Sequence, residues 1–472
     1  MLEQAGPIAL AAGAVILLLA AAFLARLISR WAGWEPAGPI ALIAASPIVP
    51  RVPLLFSLSL DDLAPLLGLA MLLWQLPIPR VTSDRILRIV LLAVALATLA
   101  RVASALVNGG GPEGTIIMLA KALARPALLV GIAAYAAVAM PAELRRRFVI
   151  LFVAAVGTFE AAFGLVAFAF TLPAGAGIEA ARRLTTLYGM CPGRISGTLG
   201  LSPNHLGAVF VVSLPFTVGH SLTQTGWRKL AWGVAVAIQA SALVLTFTRS
   251  SILLALVLTL LLLLYYRQAL LLAAVTAATT ALLFAALSLG CTTGSGGHGL
   301  PSDPGSLVVG RFSDSNDRLA LWYAAGRIML DHPIFGVGLG KMDATLKSDP
   351  QRYGQTPFGP ATSSAHNTIL LAGAETGLPG AFAATVINVG LGLVAIRIAW
   401  RGRKRRDPLL VGAALAVAGY LVQGMVNNLF EIGATSALLA LTVGAFAALH
   451  AAASGERASP PTIGPGRSVP GP

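Results

Sequence analysis

Long apolar stretches recur along almost the whole chain, with short polar connections between them. A run of about 20 apolar residues is what a helix needs to cross the hydrocarbon core of a bilayer. The pattern therefore predicts an all-α, polytopic integral membrane protein with about 12 to 13 transmembrane helices. The predicted spans are 7–28, 38–57, 60–77, 86–107, 115–140, 148–172, 204–222, 230–248, 251–265, 268–290, 366–400, 408–430 and 434–452. The second is interrupted by several prolines, so it is expected to be broken or re-entrant.

Two polar segments, 173–203 and 291–365, are longer than the other connections and divide the chain. The predicted organisation is a first set of transmembrane helices over 1–290, a loop over 291–365, a second set over 366–452, and a disordered tail over 453–472. Within the larger loop, Asp317 to Leu330 has the pattern of an amphipathic helix. Its broadly apolar side carries Leu319, Trp322, Ile328 and Met329, and this side is expected to lie on the membrane surface.

Composition and charge set the class and orientation. The chain is 56% hydrophobic and 11% charged, which excludes a soluble domain. Its net charge of +14 comes from cations in short connections, which is the positive-inside pattern and not a nucleic-acid surface. The basic clusters 145–147 and 401–406 should thus be cytoplasmic, as should the tail, while both long segments lie on the opposite face.

Polar residues suited to chemistry gather on that opposite face. Arg194, Arg249 and Arg318 lie there against the usual bias, and guanidinium groups grip phosphate oxygens bidentately. His366 stands beside Asn367 where the large loop meets an apolar stretch, so a titratable imidazole is expected at the membrane boundary. Further along the same stretch come Glu375, Gly377 and Gly380, where the two glycines are expected to let the helix pack closely against a neighbour.

Other polar residues have simpler interpretations. Lys121 and Arg125 share one helix face, and Glu160 lies in the middle of the next span, so these three are expected to pair with one another. If they instead lined a translocation pathway, the protein would be a transporter or lipid flippase, although no internal repeat relates two halves of the chain. Cys191 and Cys291 both fall on the outer side, where a disulfide could join them.

Several motifs, taken in order over about 190–431, resemble the O-antigen ligase and O-antigen polymerase family of bacterial membrane glycosyltransferases. They are Arg194-x-x-Gly197 with Pro203-Asn204, Thr248-Arg249-Ser250, Arg318-Leu319-x-x-Trp322 with Pro333-x-x-Gly336-Val337-Gly338-Leu339-Gly340, His366-Asn367 with Glu375-x-Gly377-x-x-Gly380, and Asn427 to Glu431. Over the first third of the chain the similarity lies in hydropathy alone.

This resemblance implies a glycosyltransferase of the bacterial inner membrane whose active site faces the periplasm. The implied reaction is an inverting, metal-independent transfer of a glycan from undecaprenyl diphosphate to an acceptor hydroxyl, with no cofactor. His366 would be the general base, Arg194, Arg249 and Arg318 would bind the donor diphosphate, and Asn367 would orient the imidazole. The leading expectation is an O-antigen ligase that acts on lipid A-core. A polymerase that acts on a growing O-antigen or exopolysaccharide chain is the alternative within the same family.

Overall fold

The computed structural model describes residues 7–33, 35–44, 60–75, 85–139, 153–166, 195, 203–246, 248–267, 315–361, 363–427 and 429. Its helices in chain order are α1 (Pro7–Ala32), α2 (Ala37–Ala44), α3 (Leu60–Gln75), α4 (Arg85–Asn108), α5 (Pro112–Ala139), α6 (Val153–Val166), α7 (Pro203–Ser221), α8 (Gly226–Leu245), α9 (Arg249–Tyr265), α10 (Ser315–Asp331), α11 (Met342–Ser348), α12 (Thr368–Arg405) and α13 (Pro408–Gly424). A π-helical turn (Pro350–Gly354) leads into two short antiparallel strands, β1 (Gln355–Thr356) and β2 (Gly359–Pro360), which pair Gln355 with Pro360 and Thr356 with Gly359.

The helices confirm the all-α class that the hydrophobic pattern predicts. Every predicted span that falls in the described ranges coincides with a helix, although the second is helical only over Ala37–Ala44 before the described range ends. Four of the described helices are long and apolar enough to cross a membrane: Arg85–Asn108, Pro112–Tyr135, Gly226–Leu245 and Thr368–Arg405. The predicted spans 268–290 and 434–452 and the tail lie outside the described residues. The division into domains stays a prediction.

Helix α7 lies at the centre of the bundle. Nearly all of its residues are buried, as expected of a helix that is apolar on every side. It packs against α8, α9 and α13. Small residues allow the close approach: a Cβ on Gly412 of α13 would lie 2.4 Å from the carbonyl oxygen of Pro215, and a Cβ on Gly207 would lie 2.5 Å from the hydroxyl of Ser251. This packing fixes the start of α7 relative to the start of α9.

Helix α10 forms as predicted, but its apolar face contacts protein. Ala320, Leu321, Ala324, Ala325 and Ile328 are buried in one cluster with Met342, Leu346, Tyr353, Ala361, Ala365, Leu371 and Ala374. Of the residues expected on the membrane-facing side, Ile328 is thus buried against the loop and the first turns of α12, and contact of that side with the membrane stays a prediction. Leu319, one of the residues expected on that face, is exposed.

Helix α12 is interrupted at Gly377, whose φ of 77° and ψ of −172° are not helical. The glycine-rich turn Gly336–Gly340 lies against this interruption. The N–H of Val337 donates to the carbonyl of Ala374 (2.9 Å), the N–H of Gly338 to the carbonyl of Glu375 (3.1 Å), and the N–H of Leu378 to the carbonyl of Pro333 (2.7 Å). We call this set of bonds the backbone clamp.

Pro379 explains why the clamp is needed. In an uninterrupted helix the carbonyl of Glu375 would accept from the N–H of residue 379, and proline has none. Gly338 replaces that donor, and the hydroxyl of Ser104 in α4 donates to the same carbonyl (2.7 Å). The clamp thereby joins three parts of the chain: α4, the large loop and α12.

We expect Gly377→Ala to break the backbone clamp. A Cβ at this position would lie 2.6 Å from the backbone of Ile334, and the positive φ disfavours any side chain. The substitution should lower the free energy of unfolding by roughly 2 kcal/mol or more. Thermal unfolding in detergent and amide hydrogen exchange over 333–340 would measure both effects.

Gly392→Ala is the matched control, because Gly392 lies in the same helix and a Cβ there meets no atom of the described residues within 4 Å. It should leave stability unchanged or raise it by about 0.5–1 kcal/mol. Equal stability of the two variants would contradict the clamp.

Candidate functional site

The ends of several helices converge on the side where the large loop packs. Thr248, just before α9, donates its hydroxyl hydrogen to the carbonyl of Pro203 at the start of α7 (3.0 Å). The N-termini of α7 and α9 therefore lie side by side. Because the N-terminus of a helix carries partial positive charge, this edge of the bundle favours an anion.

The C-terminal end of α13 connects this edge to the start of α12. On one side, Gln423 Nε2 donates to the hydroxyls of Ser251 (2.7 Å) and Ser250 (3.2 Å), which follow Arg249 directly. On the other side, Asn367 Nδ2 donates to the carbonyl of Met425 (2.9 Å). The end of α13 thus holds the element that carries Arg249 and the element that follows His366 in one hydrogen-bonded junction, which we call the α13 junction.

His366 is half-buried and stands immediately before this start of α12. Its φ of 47° is left-handed, a strained conformation for a residue with a side chain that is found at functional sites more often than elsewhere. Burial, and second the nearby charge of Arg318, lowers the pKa of His366 to about 4. At neutral pH the imidazole is therefore uncharged and keeps a nitrogen lone pair free to accept a proton.

The structure thus brings together two of the predicted site residues, His366 and Arg318. Arg318 lies in the first turns of α10, and the packing of α10 on Leu371 and Ala374 of α12 carries it to the histidine. Trp322 follows one turn later on the same helix, with its indole N–H buried. This loop helix therefore closes over the start of α12.

Arg249 is half-buried at the first position of α9 and belongs to the same side of the molecule through the α13 junction. Arg194 lies outside the described residues. Its neighbour Ile195 is buried, and the N–H of Ile195 donates to the carbonyl of Leu245 (3.0 Å) at the end of α8, just before the turn that leads to Arg249.

The predicted supporting residues have structural contacts of their own. Asn367 caps α12, because its Oδ1 accepts from the N–H groups of Ile369 and Leu370 (both 3.0 Å) while its Nδ2 is bonded to Met425. Both polar ends of the side chain thus take part in bonds at the start of α12, and its orientation of the imidazole stays a prediction. It fixes the end of the helix that His366 precedes.

Glu375 belongs to the backbone clamp. It is buried, and its Oε1 accepts from the N–H of Gly340 (2.9 Å). Among the described residues, the two glycines meet the loop and their own helix, and the expected close packing against a neighbouring helix stays a prediction. A Cβ at Gly377 would meet the loop backbone at Pro333 and Ile334, while one at Gly380 would lie 1.7 Å from the hydroxyl of Thr376 in the same helix. These motif residues shape α12 beneath the site.

The remaining candidates lie in other helices or outside the described residues. Glu160 is fully buried in α6 and Lys121 is half-buried in α5. Their pairing with Arg125 stays a prediction, as does the disulfide, since Cys191 and Cys291 both lie outside the described ranges. Among the described residues, no three His, Cys, Asp or Glu side chains are grouped so that they could hold a metal ion.

Sequence reasoning missed Gln423 as a site residue and named Asn427 only as part of a motif. Both are buried polar side chains within or just after an apolar stretch, and such residues are rare enough in membrane segments to mark function. That signal was present in the sequence. The sequence could not place Gln423 and Asn427 between Arg249 and His366, because that position depends on how α13 packs against α9 and α12.

Comparison with known protein families gives one match. The family described as O-Antigen ligase matches residues 234–385, which include Arg249, Arg318 and His366 together with Glu375, Gly377 and Gly380. The match begins after Arg194 and ends before α13. No curated protein matches the chain.

We expect Arg318→Gln to raise the pKa of His366 toward 6.5 without reaching it. The substitution removes the positive charge that disfavours the imidazolium, while burial, the larger cause, remains. The ¹⁵N shifts of labelled histidine side chains between pH 3 and 8 would report the change, and His366→Gln would assign the signal.

Arg352→Gln is the control, because Arg352 is an exposed loop residue whose guanidinium pairs with Asp331 at 2.9 Å. It should leave the His366 titration where it is in the wild-type protein. A pKa unmoved by Arg318→Gln would mean that the two side chains are not neighbours in solution.

Proposed function

We infer from the match over residues 234–385 that the chain belongs to the O-antigen ligase family, and we propose that it is an O-antigen ligase in the narrow sense. In this proposal it transfers a polysaccharide from undecaprenyl diphosphate to lipid A-core at the periplasmic face of the inner membrane. Membership of the family gives the broader statement: a membrane protein with glycosyltransferase-like ligase activity on glycan and lipid-linked substrates. The donor, the acceptor and the sidedness are the proposal.

The observation that supports it best is the placement of His366. An uncharged, half-buried imidazole stands beside a guanidinium, at a helix start that is hydrogen-bonded through α13 to the element carrying a second guanidinium. A base and an anion-binding set on one face are what a transfer from a diphosphate carrier requires.

The transfer proceeds in one displacement. His366 removes the proton from the acceptor hydroxyl while the hydroxyl oxygen forms a bond to the anomeric carbon of the donor sugar. The bond from the anomeric carbon to the phosphate oxygen breaks, and its electron pair leaves with undecaprenyl diphosphate. Attack opposite to the leaving group inverts the configuration at that carbon. The proton on His366 then passes to solvent.

Charge that develops on the departing diphosphate is stabilised by arginine. Arg249, at the positive end of α9, binds the diphosphate, and Arg318 contributes from α10. The anchoring of Ile195 beside the end of α8 supports Arg194 as a third member of the set. Arg318 has a second effect, because its charge keeps the imidazole unprotonated before the reaction.

The pKa of about 4 makes His366 a weak base in the free protein, so the mechanism must include a step that raises this pKa. A base this weak in the free protein becomes effective when the bound diphosphate adds negative charge nearby, since an anion favours the imidazolium. Binding of the donor would thus raise the pKa of His366 and prepare it to accept the proton. The site would then be inactive as a base until the donor is in place.

We expect His366→Ala to abolish transfer while the protein remains folded and inserted. Loss of a general base should lower the rate by about 10² to 10⁴. The profile of envelope glycans from the native host would be measured on both lipid A-core and the undecaprenyl carrier. Long chains stranded on the carrier above a bare core indicate a ligase, whereas single repeats on core without long chains indicate a polymerase.

His332→Ala is the control for this variant, because His332 is an exposed histidine of the same loop. Its glycan profile should match the wild type. Normal long chains on core in the His366→Ala strain would exclude His366 as the base.

We expect Arg249→Lys to weaken use of the lipid donor by about tenfold, because an ammonium group cannot reproduce the bidentate contact of a guanidinium. The apparent affinity for the donor in a reconstituted assay is the measurement. Arg228→Lys, at the opposite end of the neighbouring helix α8, should have no effect. An unchanged donor affinity in Arg249→Lys would remove this residue from the diphosphate site.

A further inference from the structure

Two side chains of the α13 junction contain buried polar atoms that are not satisfied. In the part of the chain that the structure describes, neither Nδ2 nor Oδ1 of Asn427 has a hydrogen-bond partner, and Oε1 of Gln423 has none either. Asn427 is 2% exposed and Gln423 is fully buried, so bulk water does not satisfy them. A buried polar group without a partner is destabilising, so each one calls for an explanation.

The location of these atoms is informative. Gln423 reaches the serines that follow Arg249, while the backbone of the next turn accepts from the start of α12: Thr368 donates to the carbonyls of Gly424 (2.9 Å) and Asn427 (3.5 Å). The unsatisfied atoms therefore lie between the proposed diphosphate site and the proposed base.

The chemistry of an inverting transfer indicates which part of the substrate would lie beside these unsatisfied atoms. The leaving diphosphate and the attacking hydroxyl stand on opposite sides of the anomeric carbon, so the first sugar of the donor lies between the group that binds the diphosphate and the base. A sugar ring offers hydroxyls that both donate and accept. A carboxamide has one donor group and one acceptor group, which match two neighbouring hydroxyls.

We propose that Asn427 and Gln423 bind the first sugar of the lipid-linked donor, the one attached to the diphosphate. This inference rests on the proposed function. Asn427 donates from Nδ2 to one hydroxyl oxygen and accepts at Oδ1 from a neighbouring hydroxyl, while Gln423 Oε1 accepts from a third group on the ring. Because Asn427 is only 2% exposed, the sugar must displace the side chains that cover it.

Such a contact would give the protein a way to tell a loaded carrier from a spent one. Diphosphate contacts alone bind undecaprenyl diphosphate with or without its glycan. Hydrogen bonds from Asn427 form only when a sugar is attached, and each contributes on the order of fivefold in affinity. The end of α13 would thus favour substrate over product.

Asn388 provides a matched comparison within the chain. Its Oδ1 is also buried without a partner among the described residues, but it lies 20 residues along α12 from Thr368, or about 30 Å at the rise of an α-helix. Asn388 is therefore far from the junction.

The test compares binding of two probes to the full-length protein in nanodiscs: undecaprenyl-diphosphate glycan extracted from the host, and bare undecaprenyl diphosphate. The wild-type protein should bind the glycan-bearing carrier more tightly. Asn427→Leu, which keeps the approximate size and removes both polar atoms, should lose about tenfold or more of that difference while binding the bare carrier as the wild type does. Asn388→Leu should keep the full difference.

The outcomes separate the inference from the proposed function. If neither probe binds the wild type, the proposed function fails. If both probes bind equally well, or if Asn427→Leu keeps the full preference for the glycan-bearing carrier, the sugar contact is wrong and the proposed function stands. If Asn427→Leu also loses the bare carrier, the milder Asn427→Ser decides, and a preserved preference in that variant overturns the contact.

Discussion

Backbone hydrogen bonds at the interruption of α12 are the constraint on which the rest of the site depends. A helix that stops and restarts near a membrane leaves carbonyl and N–H groups that lipid cannot satisfy. Here Pro379 removes one donor and Gly377 turns the chain, so the carbonyls of Ala374 and Glu375 need partners from elsewhere. The turn Gly336–Gly340 supplies them, and the carboxylate of Glu375 binds the same turn through Gly340. The loop is thus held on α12 by main-chain bonds that leave it little freedom to slide.

That attachment explains how a helix of the large loop can hold Arg318 at a fixed position beside His366. Once the turn is bound, α10 packs its small buried residues against the first turns of α12. Arg318 then lies beside His366, and burial together with this charge keeps the imidazole neutral. The order of causes thus runs from the missing N–H of Pro379 to the protonation state of His366. Electrostatics at the site is therefore a product of backbone geometry.

The sequence alone predicted the positions of the helices and placed the polar residues on one face. It could not predict which of these residues are in contact, and the reasons are physical. Helix positions follow from the length of apolar runs, which is a local property, so spans such as 86–107 and 204–222 agree closely with α4 and α7. Arg318 and His366 were placed on one face by counting spans, but their contact depends on the packing of α10. The residue type of Asn367 suits both a helix cap and a catalytic partner, and the cap bonds could be seen only in the structure. The role of Glu375 was equally out of reach, since it contacts a turn 35 residues away in the chain.

The attachment of the loop to α12 also limits how this chain can exchange parts with its relatives. A loop held in place only by its own side chains could be exchanged as a unit, with recombination crossovers anywhere in the connecting segments. Here a recombination crossover between Gly340 and Ala374 would separate the two halves of the backbone clamp. A recombinant protein would then take each half of the hydrogen-bonded unit from a different homologue. Recombination between homologues should therefore preserve Pro333 to Gly380 as one block and place its crossovers outside it, so the inherited unit combines the end of the loop with the start of α12.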